Sequence, residues 1–415
     1  MTYSLDRPQD KPKAAGKPAA PPTARVAGID AYRGLVMLLM MAEVLHLARV
    51  AEALPESSFW SFLAFHQTHV LWTGCSLHDL IQPSFSFLVG VAMPFSIASR
   101  KRRGSSDAKL WGHAVWRAIV LVLLGVFLRS LHRDQTYWTF EDTLSQIGLG
   151  YLPLFVVGML ARRWFDWLAF GLIVVGYWAA FVLYPLPGEG YDFTAVGVPI
   201  DWPYHADGLA AHFNKNANVA LAFDQWFLNL FPREEPFTHH RGAYATLSFI
   251  PTLATMLLGL IAGRWLRDRS LGNLLTLPLM LRLVGSGVAL IAAGWTLQFF
   301  DICPIVKRIW TPAWVVYSGG WCLLILAGFT LICDVIGFDT WAWPLRVIGA
   351  NSIVAYVIAH LWEDFFADAF RTHLGAGVFS QAGPAYEPLL EGAAVLACYF
   401  AILWWMYARR IFVKV

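Results

Sequence analysis

A histidine ring titrates near neutrality, so a histidine held beside a carboxylate is a ready proton acceptor. The sequence offers three such groupings. HQTHVLWTGCSLHDL (66–80) brings His69, Trp72, His78 and Asp79 within a few positions. Glu43 and His46 stand three residues apart, hence on one face if that segment is helical. HLWEDFF begins at His360. Joined in space, these would make one polar pocket able to deprotonate a substrate. Taken separately, they read as interfacial side chains reaching toward water. A metal site is not expected: no HxxxH pair lies on one helix, and Cys75, Cys303, Cys322, Cys333 and Cys398 form no CxxC. A Cys75–Cys303 bridge is conceivable if both lie on an oxidising side.

A second set of groups is basic. GIDAYRG (28–34) sets Asp30 and Arg33 three apart, most simply a structural ion pair. SRKRR (99–103) supplies Arg100, Arg102 and Arg103, which any anionic ligand approaching that side would meet. GANSIVAY (349–356) contains Asn351, whose amide can hydrogen-bond across helices or donate to a developing oxyanion.

The elements that must carry these groups are membrane spans. Of the 415 residues, 57% are hydrophobic and 14% charged, whereas soluble domains carry about 25% charged residues. Apolar runs predict helices near 31–50, 78–98, 113–131, 144–161, 165–184, 244–263, 277–298, 313–335, 345–364 and 389–408. The fold class is therefore all-α: a polytopic transmembrane bundle of about ten spans over 28–415, preceded by a Pro-, Ala- and Lys-rich disordered tail (1–27). The tail, the 99–112 loop, Arg162–Arg163, the stretch around Arg264 and the C-terminus hold most of the Lys and Arg, although they are the shorter connections. That bias places both termini in the cytoplasm. The longest outer loop, 185–243, is long enough for a cap of short helices, with NKNANVALAFDQWFLN as an amphipathic one. The net charge of +3 implies no nucleic-acid partner; the surroundings are membrane lipid. Polar groups at both ends of the same helices suit an enzyme or a transporter.

These segments resemble the heparan-α-glucosaminide N-acetyltransferase family and its bacterial members. GIDAYRGLVMLLMM is similar to that family's Asp–x–x–Arg–Gly opening, and HVLWTGCSLHDLIQPSFSFLVGVAMPFS to its second-helix signature. LSQIGLGYL, ATLSFIPTLATMLLGLIAGRWL, KRIWTPAWVVYSGGW and GANSIVAYVIAHL follow in the family's order. The chain departs at Ile147, where the family has Arg, and at Val44, where it has Asn. The resemblance implies an acetyltransferase of the bacterial inner membrane that uses cytoplasmic acetyl-CoA as co-substrate. Its acceptor would be the amine of a glucosamine-like small molecule or glycan on the outer side. His69 matches the family's catalytic histidine, and Asp79 is placed to orient its ring. Glu43, His46, Trp72, Asn351 and His360 are then acceptor-side candidates, and Arg33, Arg100, Arg102 and Arg103 donor-side ones. A homodimer is compatible with this reading. The alternative is a sugar or amino-sugar permease of related fold. That reading expects an inverted repeat and helices broken at the midplane, neither of which is visible in the sequence.

Overall fold

The computed structural model describes residues 26–160, 162–270, 277–375 and 377–413. Most of the expected tail lies outside them, and the bundle starts slightly earlier than 28: Val26 is buried and α1 (Ala27–Met41) follows it. Among the described residues the structure is helical, with a lone antiparallel bridge between Thr73 and Val306.

Among the described residues seven helices are long and apolar enough to cross a membrane, and nine spans result if each of two bent pairs counts as one. The seven are centred on α4 (Ile81–Arg102), α5 (Asp107–Arg129), α7 (Trp164–Val182), α9 (Phe249–Ser270), α10 (Leu277–Phe299), α11 (Pro312–Phe329) and α15 (Glu387–Ala408). The tenth expected segment is α6 (Thr143–Met159), an apolar helix of 17 residues. What ends it is Arg264 on α9. One guanidinium nitrogen donates to the carbonyls of Val157, Gly158 and Leu160 at 3.0–3.2 Å, satisfying the orphan acceptors of a helix terminus. The other nitrogen pairs with Asp166 on α7 at 3.2 Å.

Both bent spans break at residues the sequence marks as polar. The first runs from α1 through a 3-10 turn (Ala42–Leu45) into α2 (Leu47–Ala53) and bends by 41° at His46, whose φ of +46° is left-handed. The ninth joins α12 (Trp343–Ala350) to α13 (Ser352–Leu361) with a 69° bend at Asn351. Broken helices are therefore present where none was expected. Beyond α13, α14 (Glu363–Leu374) lies before α15.

Helices α4, α9 and α11 form the centre, while α5, α7, α10 and α15 turn most of their surface outward. The central pair crosses closely because a side chain is missing. A Cβ on Gly90 would meet the Met256 carbonyl, and one on Gly259 the Phe87 carbonyl, both at 1.9 Å. Small residues let backbones in a membrane bundle approach to this distance. Both described ends of the chain meet at one end of the bundle. The Ala27 and Gly28 amides donate to Asp334 at 2.7 and 2.9 Å, and Asn351 holds the last residues by accepting from Val413 N and donating to Ile411 O, each at 3.0 Å.

In the 185–243 segment, α8 (Val219–Phe227) starts later than the amphipathic run suggested. Asn218 is its N-cap, accepting from Ala220 and Leu221, and Asn216 before it is left-handed. A second apolar cluster joins Phe213, Ala220 and Ala243 to Phe181, Trp310 and Trp314, which ties this segment to the bundle.

Candidate active site

At the end of the bundle opposite the described ends of the chain, the loop between α3 (Ser58–Gln67) and α4 folds back on itself. Ser76 organises the turn: its hydroxyl donates to Thr68 O at 2.6 Å and accepts from the Asp79 amide at 3.3 Å. Asp79 is fully buried, and Oδ2 accepts from the amides of Val70 and Ser76 at 3.2 and 3.0 Å. Those bonds leave Oδ1 facing His69 Nδ1 at 2.8 Å. A carboxylate fixed this way holds the Nδ1–H tautomer and leaves Nε2 with its lone pair, the arrangement of a general base. His69 keeps about a third of its side chain accessible (36%). Burial lowers its pKa against the raising effect of the Asp79 bond.

His69 opens onto a cavity of about 360 Å³. Glu43 and His360, two of the acceptor-side candidates, line it together with His78, Arg129, Glu141, Asp142, Tyr244 and Lys307. His78 Nε2 lies 3.3 Å from Glu43 Oε1, and its ring centroid is 4.5 Å from that of His69. His360 Nδ1 donates to Tyr356 O at 2.9 Å. Asp142 caps α6 through Oδ1, which accepts from Leu144 and Ser145 N; its buried Oδ2 has no protein partner.

Three candidates stand elsewhere. The bend at His46 undoes the shared face with Glu43, and His46 pairs instead with Glu363 at 3.0 Å in a separate pocket beside α14 and α15. Trp72 is buried in the second apolar cluster, with its ring 6.2 Å from Trp202. Asn351 lies at the opposite end, where its amide is occupied by the C-terminal segment. Cys75 and Cys303 are both free thiols.

At that opposite end a second cavity, about 390 Å³, is lined by Arg33, Arg100 and Arg103, with His113, Arg117 and Tyr151 beside them. Arg100 contacts His113 at 2.5 Å, and Arg117 sits over the Tyr151 ring at 4.8 Å. Arg102 is not in this lining. Deeper in, the wall is apolar: Leu88, Val89, Ala92, Met93 and Ile147. Phe85 lines both cavities. A basic cavity with a largely apolar wall and the cavity beside the His69–Asp79 pair thus share Phe85 as a lining residue.

No family model matches the chain. It is similar to heparan-alpha-glucosaminide N-acetyltransferase of Homo sapiens, 23% identical over 436 residues, which cover 96% of this chain and 60% of that protein. The Mus musculus protein of the same name is 24% identical over 430 residues, 94% of this chain and 60% of its own length. Both of these relatives are named as N-acetyltransferases. The chain spans about 60% of the length of these curated relatives.

Within this N-acetyltransferase relative, sequence reasoning missed Lys307, Glu141 and Arg129 in the first cavity and Arg117 and His113 in the second. Lys307 opens the segment KRIWTPAWVVYSGGW, but a Lys–Arg pair just before a span reads as ordinary flanking charge. Glu141 sits in the loop before α6, where its carboxyl accepts from the Thr139 hydroxyl. Burial pushes that carboxyl up to about 7. The folded state therefore holds a proton that the unfolded chain has released between about pH 4.5 and 7. Stability is expected to fall as pH rises through that window, by at most about 3 kcal/mol. Thermal unfolding in detergent at pH 5 and pH 8 checks this: Glu141→Gln should remove most of the difference, and an unchanged difference would assign it to another group.

Proposed function

We propose that the protein is a membrane-embedded acetyltransferase. In this reading it takes acetyl from acetyl-CoA on the arginine-lined side, the cytoplasm, and passes it to the amine of a glucosamine-like sugar on the His69 side. The observation that carries the reading is the pair of cavities with Phe85 common to both: a basic one at the end where the described chain ends meet, and one with the His69–Asp79 dyad at the other. Acetyl-CoA is polyanionic, so its phosphates would stay at Arg33, Arg100 and Arg103, while its thin acyl-bearing arm suits the apolar stem between them and His69.

At the dyad the chemistry is proton management. The amine nitrogen attacks the thioester carbonyl; a C–N bond forms, the C–S bond breaks, and CoA leaves as a thiolate that takes up a proton. His69 Nε2 accepts the proton the amine loses. In a two-step variant the same nitrogen carries the acetyl before the amine arrives. The unpartnered Asp142 oxygen gives the outer cavity an acceptor suited to the N–H groups of an amine or ammonium.

The test uses proteoliposomes with the donor on one face and glucosamine on the other. Free thiol and N-acetylglucosamine should appear together when acetyl-CoA is on the Arg100 side, and not with the faces exchanged. The two broken helices favour a second reading, a permease. It predicts that unmodified sugar crosses without donor, and that result, with no thiol released, would replace the first reading.

A further inference from the structure

Lys307 is fully buried, and no expectation from sequence assigns it a role. It lies in the loop between α10 and α11, and its Nζ reaches Asp79 Oδ1 at 3.4 Å and His69 Nδ1 at 3.1 Å. The loop is held to the His69 segment independently: the Gly74 amide donates to Ile305 O at 3.1 Å, and Arg308 donates to Val70 O at 3.4 Å and to Gly242 O at 2.9 Å. Lys307 is thus delivered to the dyad by backbone pairing and not by a flexible stem.

We propose that Lys307 is a positioning residue that balances the buried Asp79 carboxylate and so keeps His69 in its neutral, proton-accepting form. The inference rests on the acetyltransferase reading of this site and adds to it the residue that sets the working pH range. The physical need is plain. An unbalanced carboxylate 2.8 Å from an imidazole stabilises the imidazolium, which cannot accept a proton. A second positive charge on the same carboxylate opposes that. With Lys307 ammonium and Asp79 carboxylate paired, the neutral ring adds no net charge to a buried site, whereas a protonated ring adds one.

The groups that face the His69 ring divide by sign. Asp79 alone raises its basicity by direct contact. Lys307 and Arg308, from the loop before α11, oppose it, and His78 beside it is a neutral or positive neighbour. Glu43, from the turn that closes α1, is engaged with His78. Across the cavity Arg129 stands near Glu141 and Asp142, so that wall contributes both signs. The lowered pKa of His69, owed first to burial and then in part to Lys307, is in the direction the geometry requires.

The test is the pH profile of acetyl transfer under limiting donor. Lys307→Gln keeps a hydrogen-bonding group and removes the charge, so the acid limb should move up by about one pH unit, with roughly tenfold lower activity below it and recovery on the alkaline side. Lys307→Arg should keep the limb near its original place. If Lys307→Gln fails to insert, Lys307→Met, which removes the charge and keeps the length and packing of the stem, replaces it, and the same upward move of the limb is expected. A uniform loss at every pH, with the limb fixed, would overturn the proposal and leave Lys307 as a packing residue. Absence of any transfer by the wild-type protein would instead count against the acetyltransferase reading.

Discussion

His69→Ala should lower acetyl transfer by about 10²–10⁴-fold, the range that a positioned general base contributes, while acetyl-CoA binding at the arginine end stays intact. The expectation rests on one nitrogen. Asp79 fixes Nδ1, so Nε2 is what the ring can offer to the cavity, and no neighbour replaces it. His66 accepts from the Leu77 amide at 3.2 Å and is occupied in holding the loop. His78 is turned to Glu43. Replacing either should therefore cost far less than replacing His69. Asp79→Asn is the more discriminating variant. If the asparagine oxygen keeps the bonds to Ser76 and Val70, its amide nitrogen faces His69, and Nδ1 must then accept. The proton moves to Nε2 and the base is blocked, with a loss of about 10²-fold or more while the protein still folds. Thiol release and acetylated product, measured with inserted protein at matched amounts, decide the matter. Near-normal turnover in His69→Ala, with turnover abolished in His46→Ala, would move the chemistry to the pocket beside α14.

How much of this was legible depends on distance along the chain. Helix positions follow from apolar runs of about 20 residues, a purely local property, and all ten expected segments coincide with helices, although α6 is shorter than a span and two others are bent. The bends are not local in that sense. No glycine or proline marks His46, and its left-handed backbone is set by the packing of α1, α2 and α15 around it, where Gly392 of α15 lies against the Val44 carbonyl. A continuous helix would have kept Glu43 and His46 together; the bend sends them to different partners. The His69–Asp79 pair was readable because both members lie in one short loop. Lys307 was not, since it is 238 residues from His69 and no pattern in its own segment points there. Trp72 shows the converse. It fits a motif by spacing, yet its indole packs in a core.

The arginine end gives the second large effect, and it comes with an internal control. Arg100 and Arg103 line the inner cavity, whereas Arg102, between them, does not. Helical spacing explains this: Arg103, the C-cap of α4, follows Arg100 by about one turn, and 102 is rotated away from that side. Replacing Arg100 and Arg103 together by Gln should weaken acetyl-CoA by roughly 10²-fold, about one charge-assisted bond lost at each. The remaining affinity should also depend less on salt. Arg102→Gln should change little by comparison. These arginines also mark the side of the membrane, so neutralisation risks inverting the helix. The Arg100→Lys/Arg103→Lys variant meets that objection. It keeps every positive charge while removing the planar fork that holds a phosphate through two bonds, and it should show an intermediate loss. Binding is measured by displacement of labelled acetyl-CoA, with insertion checked by protease access to the 99–112 loop. Unchanged affinity in a correctly inserted double Gln variant would leave the arginines with topology and packing alone. An equal loss from Arg102→Gln would show that total charge, and not the cavity lining, attracts the donor. A loss confined to the lining pair requires that the phosphates rest in this cavity, and the arm from there to His69 must then run past Phe85.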